Sequence, residues 1–219
     1  MHIMRQNGED MENVYRVLME PCEGQIEEKK SKFIANAFPV TTLQEAEERI
    51  AQITKKHYDA KHHCYALVLG DNFEMKRSSD NGEPQGTAGK PILNVIEGSG
   101  ITNIIIIVTR YFGGTLLGTG GLVRAYTAAA KEALMAAEIG TVTYSRKITL
   151  ETSYDQINPI QYYLGQHQIA LDESRYGSEV EMDITIADDT ADEIISALRQ
   201  KTNGNIKICE KEIGYFILK

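Results

Sequence analysis

The stretch Asn103-Ile-Ile-Ile-Ile-Val-Thr109 is the most apolar run of the chain. An apolar run of this length between polar residues predicts a strand that is covered on both faces. It is far shorter than the roughly 18 apolar residues that a membrane-spanning helix needs. A glycine-rich segment follows it, and then an alanine-rich helix is predicted over residues 122–138, where Gly140 ends it. The order of strand, glycine-rich turn and helix predicts a mixed α/β domain around this strand.

The residues before this strand predict the rest of the same domain. Thr42-Leu-Gln-Glu45 is a capping box, and apolar residues recur behind it at helical spacing to about His57. Pro91 suits the first turn of a shorter helix that ends near residues 98–100. Residues 1–10 have no periodic pattern, so we expect a disordered leader, with Met11 as the natural start. The other assignments are strands at 14–20, 25–40 (interrupted by charges at 27–30) and 63–70, and a long polar loop at 71–90.

The pattern changes after residue 145, and a second domain is predicted there. Its elements follow the order β-α-β-β-α-β, which is the split βαβ or ferredoxin-like plan. We therefore predict an α+β protein of two domains, residues 11–145 and 146–219. The predicted strands of the second domain are 148–153, 169–174, 180–187 and 206–213, and its helices are 157–166 and one from the capping box at 190–193 to Gly204.

The charge of the chain restricts the kinds of partner that it can bind. The formal net charge is −8, and neither half of the chain is basic. Residues 1–145 contain 15 Lys and Arg and 18 Asp and Glu, and the residues after them contain 8 Lys and Arg and 13 Asp and Glu. A protein that coats nucleic acid without selectivity needs a basic balance, so any phosphate contact must come from a local patch. The three cysteines are too far apart to indicate disulfides or zinc. With no secretory signal, we expect a cytoplasmic protein without a membrane partner, metal or cofactor.

One candidate patch is the loop Arg77-Ser-Ser-Asp-Asn-Gly-Glu-Pro-Gln-Gly-Thr-Ala-Gly-Lys-Pro91. Its glycines allow a ligand to approach the backbone closely and expose N–H donors. It is not a Walker A loop, because Pro84 replaces the first glycine and Pro91 follows Lys90. The alternative interpretation is a solvated surface loop.

The second candidate is Thr109-Arg-Tyr-Phe-Gly-Gly-Thr-Leu-Leu-Gly-Thr-Gly-Gly-Leu-Val-Arg124. The first turn of the helix that follows it leaves N–H groups unpaired at the positive end of the helix dipole, where anions bind readily. Arg110 and Arg124 could close on one anion, and Tyr111 and Phe112 offer faces for a stacked base. The dinucleotide-binding spacing fails at Val123. Tight strand–helix packing is the alternative.

We therefore predict a single ligand- or phosphate-binding site that both segments form, with no catalytic residue assigned. Arginine and lysine side chains would bind phosphates, while the backbone N–H groups of residues 86–89 and 118–121 would fix the position of the bound nucleic-acid backbone. The predicted members are Arg77, Asp80, Glu83, Gly86, Thr87, Gly89, Lys90, Arg110, Tyr111, Gly113, Gly114, Gly118, Thr119, Gly120, Gly121 and Arg124.

Two further groups of residues could have either a chemical or a structural role. Cys64 could be a nucleophile with His62 or His63 as its base, or a small buried core residue. Asp80 and Glu83 could be an acid/base pair, bind magnesium, or cap their own loop.

The same residues resemble the IMPACT (YigZ-type) family. The motifs that carry the resemblance are Lys30-Ser-Lys-Phe-Ile-Ala35, His62-His-Cys64, Ser79-Asp-Asn-Gly-Glu-Pro-Gln-Gly-Thr-Ala-Gly-Lys-Pro91 and Arg110-Tyr-Phe-Gly-Gly-Thr-Leu-Leu-Gly-Thr-Gly-Gly-Leu-Val-Arg-Ala-Tyr126. The resemblance implies a first domain of the ribosomal-protein and elongation-factor type, a βαβ sandwich with its helices on one face of the sheet. It implies a second domain similar to the last domain of elongation factor G.

The resemblance also implies a role in translation. Eukaryotic relatives regulate translation through the general-control kinase, using an extra N-terminal domain that we do not expect in this chain. For bacterial members the family implies contact with RNA or the ribosome, and a translation-linked regulatory protein is our first hypothesis. The alternatives are a nucleotide- or phosphometabolite-binding enzyme or sensor that uses the same loops, and a protein–protein adaptor that uses the sheet of the second domain.

Overall fold

The structure, a computed structural model, describes residues 14–218. The predicted leader and the predicted start at Met11 lie outside these residues. The described chain is a mixed α+β protein with two compact units, Tyr15–Gly140 and Thr141 onward. In chain order, the elements of the first unit are β1 (Tyr15–Leu18), β2 (Cys22–Glu28), β3 (Ser31–Pro39), α1 (Leu43–Lys56), β4 (His62–Leu69), β5 (Met75–Ser79), α2 (Gly89–Ser99), β6 (Ile101–Thr102), β7 (Ile104–Tyr111) and α3 (Gly118–Met135).

The most apolar run of the sequence is the central strand of the first unit. The sheet has the order β2-β3-β7-β4-β5, and its neighbouring strands are antiparallel. Ile104, Ile106 and Val108 pack with α2 and α3, whereas Ile105 and Ile107 pack with α1 on the opposite face. The prediction that both faces of this strand are covered is confirmed. The resemblance implied helices on one face only; the structure differs because this strand is equally apolar on both sides.

The helix α1 begins at the predicted capping box. The Thr42 hydroxyl accepts a hydrogen bond from the Glu45 amide at 3.2 Å, and the Glu45 carboxylate accepts one from the Thr41 amide at 2.7 Å. Its buried residues are Ala46 and Ile53, which face the sheet. The predicted helix is therefore confirmed.

The strand β5 lies within the segment that was predicted to be a loop, so that prediction was wrong over Met75–Ser79. These residues pair antiparallel with β4, with Arg77 opposite Leu67. Most of their side chains are exposed, because β5 is the edge strand of the sheet. A polar edge strand has no apolar alternation to reveal it in the sequence.

The second unit consists of a four-stranded antiparallel sheet and two α-helices in the described residues. The elements are β8 (Ile139–Thr152), a 3-10 turn (Tyr154–Gln156), α4 (Ile157–Gln166), β9 (Leu171–Tyr176), β10 (Val180–Ala187), α5 (Asp188–Lys201) and β11 (Ile206–Leu218). The order of strands is β9-β10-β8-β11, and α4 and α5 cover the face that carries Ile148, Leu150, Met182 and Ile184. The predicted order of elements is found, but β8 begins earlier than predicted.

The predicted capping box at residues 190–193 is not the start of α5. The helix begins two residues earlier, and Asp188 and Asp189 lie in its first turn, where carboxylates interact favourably with the helix dipole. No helix within residues 14–218 is long and apolar enough to cross a membrane.

Candidate functional site

The two glycine-rich segments meet at the carboxylate of Glu83. Its Oε1 accepts hydrogen bonds from Arg110 Nη1 at 2.7 Å and from the Tyr126 hydroxyl at 2.8 Å. The side chains of Arg110 and Glu83 are 7 % and 4 % exposed. Because Arg110 ends β7 and Tyr126 lies in α3, this carboxylate joins the loop before α2 to both elements of the second segment. The expected proximity of the two segments is therefore present.

Arg110 is enclosed by aromatic rings as well as by its ion pair. Its guanidinium carbon lies 5.5 Å from the ring centre of Phe33 and 5.7 Å from that of Phe112. Phe33 in turn contacts Tyr126 edge to face at 5.1 Å. The Nε of Arg110 is buried and has no hydrogen-bond partner among the described residues. Arg110 is therefore a buried structural residue of the site.

The Asp80 carboxylate is hydrogen-bonded to backbone N–H groups at the start of α2. Its carboxylate accepts hydrogen bonds from the amides of Gly86 at 2.8 Å, Ala88 at 2.9 Å and Gly89 at 2.8 Å. Burial raises the pKa of Asp80, but the three hydrogen bonds outweigh it and hold the pKa below its ordinary value. Of the roles considered for Asp80, the geometry matches capping of its own loop. The amides that were predicted to bind phosphate donate to this internal carboxylate instead.

The remaining predicted residues of this loop differ in exposure. Thr87 is buried and its hydroxyl donates to the Pro84 carbonyl at 2.6 Å. Lys90 is exposed and lies 3.7 Å from Glu97, which also pairs with Lys76. Arg77 is exposed on β5 opposite Leu67, which packs with α1, so its side chain lies on the face of the sheet away from α2 and α3. The Arg77 side chain has no hydrogen bond or ion pair with another residue in the described part of the chain.

The start of α3 is the most open part of the site. No side chain caps it, its first turn contains no acidic residue, and Gly118, Thr119 and Gly120 are exposed. The Arg124 guanidinium lies close above this turn, because a Cβ placed on Gly120 would be 3.6 Å from its Nη1. Arg124 is exposed, and its side chain forms no hydrogen bond or ion pair within residues 14–218. Free N–H donors and a free guanidinium are therefore side by side.

The segment between β7 and α3 is anchored at its first residues. Tyr111 donates to Asp59 at 3.0 Å and lies 3.0 Å from His57 Nδ1, so its hydroxyl is used internally. The Gly113 amide donates to the Ser31 hydroxyl at 3.1 Å, and only a glycine can approach the Lys30 backbone so closely. After this anchor the chain is exposed at Gly114 and beyond.

The predicted site residues therefore divide into two groups. Those that are buried or hydrogen-bonded to another residue support the site. The others are at least partly exposed, and Lys90 among them forms a surface ion pair with Glu97. Whether either group binds a ligand stays a prediction. The internal group is Asp80, Glu83, Gly86, Thr87, Gly89, Arg110, Tyr111 and Gly113, and the solvent-facing group is Arg77, Lys90, Gly114, Gly118, Thr119, Gly120, Gly121 and Arg124.

Cys64 has the features of a core residue. It is completely buried, and its Sγ lies 2.9 Å from the Asp80 carbonyl and 3.3 Å from the Tyr126 hydroxyl. Burial raises the pKa of this thiol to about 12, whereas a nucleophilic thiol needs a lowered pKa. The nearby His63 contacts Thr109, not the thiol. The structural alternative for Cys64 is therefore favoured.

Metal binding finds little support in the arrangement of side chains. Within residues 14–218, no group of three or more His, Cys, Asp and Glu side chains is placed to hold a metal ion. Asp80 and Glu83, the two carboxylates considered for this role, are engaged with amides, Arg110 and Tyr126.

The sequence did not identify two residues that hold the site together, Tyr126 and Phe33. Both residues lie in motifs that carry the family resemblance, but neither was predicted to belong to the site. Tyr126 is also the one aromatic residue of an alanine-rich helix.

Comparison with known proteins assigns the chain to a family. Residues 29–134 match the Impact N-terminal domain, and residues 150–205 match a domain of unknown function (DUF1949). The chain belongs to the IMPACT family. It is 36 % identical over 203 residues to the IMPACT family member YvyE of Bacillus subtilis, covering 92 % of this chain and 93 % of that protein. It is 35 % identical over 182 residues to the IMPACT family member YigZ of Escherichia coli, covering 82 % and 89 %.

A solved structure is similar to this chain over most of its length. A crystal structure described only as that of a hypothetical protein is 33 % identical, with a TM-score of 0.58 over 91 % of this chain and 98 % of the other. The Impact N-terminal domain match spans both glycine-rich segments of the candidate site.

Proposed function

We propose that this IMPACT family protein is a translation-linked regulatory protein of the cytoplasm that binds RNA, on the ribosome or free. The binding surface consists of the start of α3 together with Arg124, and Lys90 at the start of α2 is a further exposed cation. The translational role rests on the family, whose eukaryotic members are expected to regulate translation. The contact with RNA rests on the chemistry of the surface.

One observation carries the proposal: the uncapped start of α3 lies beside the free guanidinium of Arg124. Backbone N–H groups at a helix start and an arginine side chain are both donors that phosphate oxygens accept. The internal contacts of Glu83 and Arg110 hold the two segments in place, so this surface is formed before a ligand arrives. A preformed surface loses less conformational entropy on binding.

We also propose a finer description of the two domains. The order β9-β10-β8-β11, with both helices on one face, supports a ferredoxin-like second domain, similar to the last domain of elongation factor G. The first domain would be of the ribosomal-protein and elongation-factor type, with α1 on the additional face. A domain boundary near residue 145 is consistent with family matches that end at residue 134 and resume at 150.

Cosedimentation with purified ribosomes and their subunits tests the proposal. Arg124→Ala should sediment with ribosomes less than the wild-type protein, because it lacks a phosphate contact. Lys55→Ala is the matched control, since Lys55 is exposed at the end of α1 on the opposite face of the sheet. This control should sediment as the wild type does. If Arg124→Ala also does so, or if the wild type does not bind, the proposal is wrong.

A further inference from the structure

Phe112 is an exposed aromatic ring on a fixed support. Its side chain is 58 % exposed, and the Arg110 guanidinium lies 5.7 Å from its ring centre. Arg110 is itself fixed between Phe33 and Glu83. An exposed phenylalanine normally loses rotamer freedom when it binds, but a ring that already packs on a fixed guanidinium loses less.

The neighbouring aromatic residue is not available in the same way. Tyr111 is half-buried, and its hydroxyl donates to Asp59 and contacts His57. Of the two aromatic side chains that could accept a stacked base, the structure leaves Phe112 free to do so.

The ring also lies next to the donors for phosphate. Arg110, which packs on Phe112, shares the Glu83 oxygen with Tyr126 of α3, at 2.7 Å and 2.8 Å. Long helical side chains point back toward the start of their helix, so Tyr126 places this cluster beneath the first turns of α3. A base on Phe112 would therefore have its own backbone close to the N–H groups of that helix and to Arg124.

The charge of the protein favours single strands over duplex as the partner. Double-stranded RNA is bound mainly through phosphate and 2′-hydroxyl contacts, and its bases are stacked within the helix. This protein has a net charge of −8, and few cations are free at the site, so phosphate contacts alone supply little affinity. Stacking on an aromatic ring can supply the remainder, but only an unpaired base can reach the ring.

We propose that Phe112 is a stacking platform for an unpaired base of single-stranded RNA, with an adjoining phosphate at the start of α3. The inference rests on the proposed function, which it deepens by naming the class of RNA. It assigns affinity to Phe112 and salt dependence to Arg124, so the two residues have separable effects.

Fluorescence anisotropy with the full-length chain tests this assignment. The probe is a short fluorescein-labelled RNA of mixed sequence, used as a single strand and after annealing to its complement. Phe112→Leu should weaken single-strand binding about tenfold, because leucine removes the ring but keeps an apolar side chain. Phe112→Trp should retain wild-type affinity, which would show that the aromatic face is what matters. Tyr176→Leu, at a 64 % exposed tyrosine of the second unit, should have no effect.

The salt dependence separates this inference from the proposed function. Phe112→Leu removes no charge, so its slope of log affinity against log salt should equal that of the wild type, whereas Arg124→Ala should reduce the slope. If Phe112→Leu binds as the wild type does while Arg124→Ala is impaired, the stacking platform is wrong and the proposed function stands. Duplex binding as tight as single-strand binding would also overturn the inference. No binding of either RNA by the wild-type protein would overturn both.

Discussion

Arg110 and Glu83 form an ion pair that is almost completely removed from solvent, with Nη1 2.7 Å from Oε1. Tyr126 donates to the same oxygen, so one carboxylate neutralises a buried cation and satisfies a buried hydroxyl. The pair connects a loop to the end of the central strand and to a helix. We therefore expect it to determine the stability and the shape of the candidate site more than any of the exposed ion pairs.

Removal of this carboxylate should be costly. Glu83→Ala leaves the Arg110 charge buried and unpaired, which should lower the free energy of unfolding by about 3–5 kcal/mol. Tyr126→Phe removes the hydrogen bond to Glu83 and a weak one from the Cys64 thiol, and should cost about 1–2 kcal/mol. Glu97→Ala, in the partly exposed pairs with Lys76 and Lys90, is the control and should cost less than about 1 kcal/mol. Urea unfolding of the three variants checks the order. Equal losses for Glu83→Ala and Glu97→Ala would contradict this account.

The cap of α2 should make stability depend on pH. The pKa of Asp80 is lower in the folded protein than its ordinary value near 3.8, so its carboxylate stabilises the fold above that pH. This contribution should be lost as the pH falls through the folded pKa. Asp80→Asn should cost about 1–2 kcal/mol at neutral pH, since an amide cannot accept all three N–H groups.

The stability difference between wild type and Asp80→Asn should then shrink in acid. Urea unfolding at neutral pH and at several pH values below 3.8 measures it. A difference that stays constant over this range would show that the charge of Asp80 does not stabilise the cap.

Cys64 should be unreactive in the folded protein. It is buried and its pKa is raised to about 12, so almost no thiolate exists near neutral pH. We expect iodoacetamide to modify the partly exposed Cys209 first, and Cys64 only after unfolding in urea. Mass spectrometry of labelled peptides measures both rates. Rapid labelling of Cys64 in the native protein would restore the nucleophile alternative.

Gly113 should be intolerant of any side chain. A Cβ at this position would collide with the backbone of Lys30 and Ser31, so neither partner can move aside as a flexible side chain would. Gly113→Ala should lower the free energy of unfolding by about 1–3 kcal/mol.

Gly98→Ala is the matched control for that substitution. Gly98 lies within α2, and a Cβ there would meet nothing within 4 Å. Because alanine is the better helix former, this variant should be more stable than the wild type by up to about 1 kcal/mol. If thermal or urea unfolding shows the same change for both variants, the close approach at Gly113 is not important.

Local sequence signals predicted those elements whose stability has a local origin. The capping box at Thr42 marks α1, and the apolar run from Ile104 marks β7, because capping groups and apolar periodicity are contained in a few consecutive residues. The edge strand β5 was missed because its only paired strand is β4, and its exposed polar side chains carry no pattern.

The same distinction applies to the candidate site. The glycine pattern predicted that two loops would lie together, and loop capping was among the roles predicted for Asp80, but the pairing of Glu83 with Arg110 and Tyr126 was not predicted. Glu83 and Arg110 are 27 residues apart in the chain, and their pairing depends on the packing of the sheet against α3. Sequence spacing therefore indicated the location of the site, and the structure distinguishes its supports from its exposed donors.

The salt dependence of RNA binding tests the central claim most directly. For a labelled single-stranded RNA, the slope of log affinity against log salt reports the number of neutralised phosphates, at about 0.7 for each on single strands. Arg124→Ala should reduce the magnitude of that slope by about 0.7 relative to wild type, while Lys55→Ala leaves it unchanged. Identical slopes for Arg124→Ala and the wild type would contradict the proposal that this arginine contacts RNA.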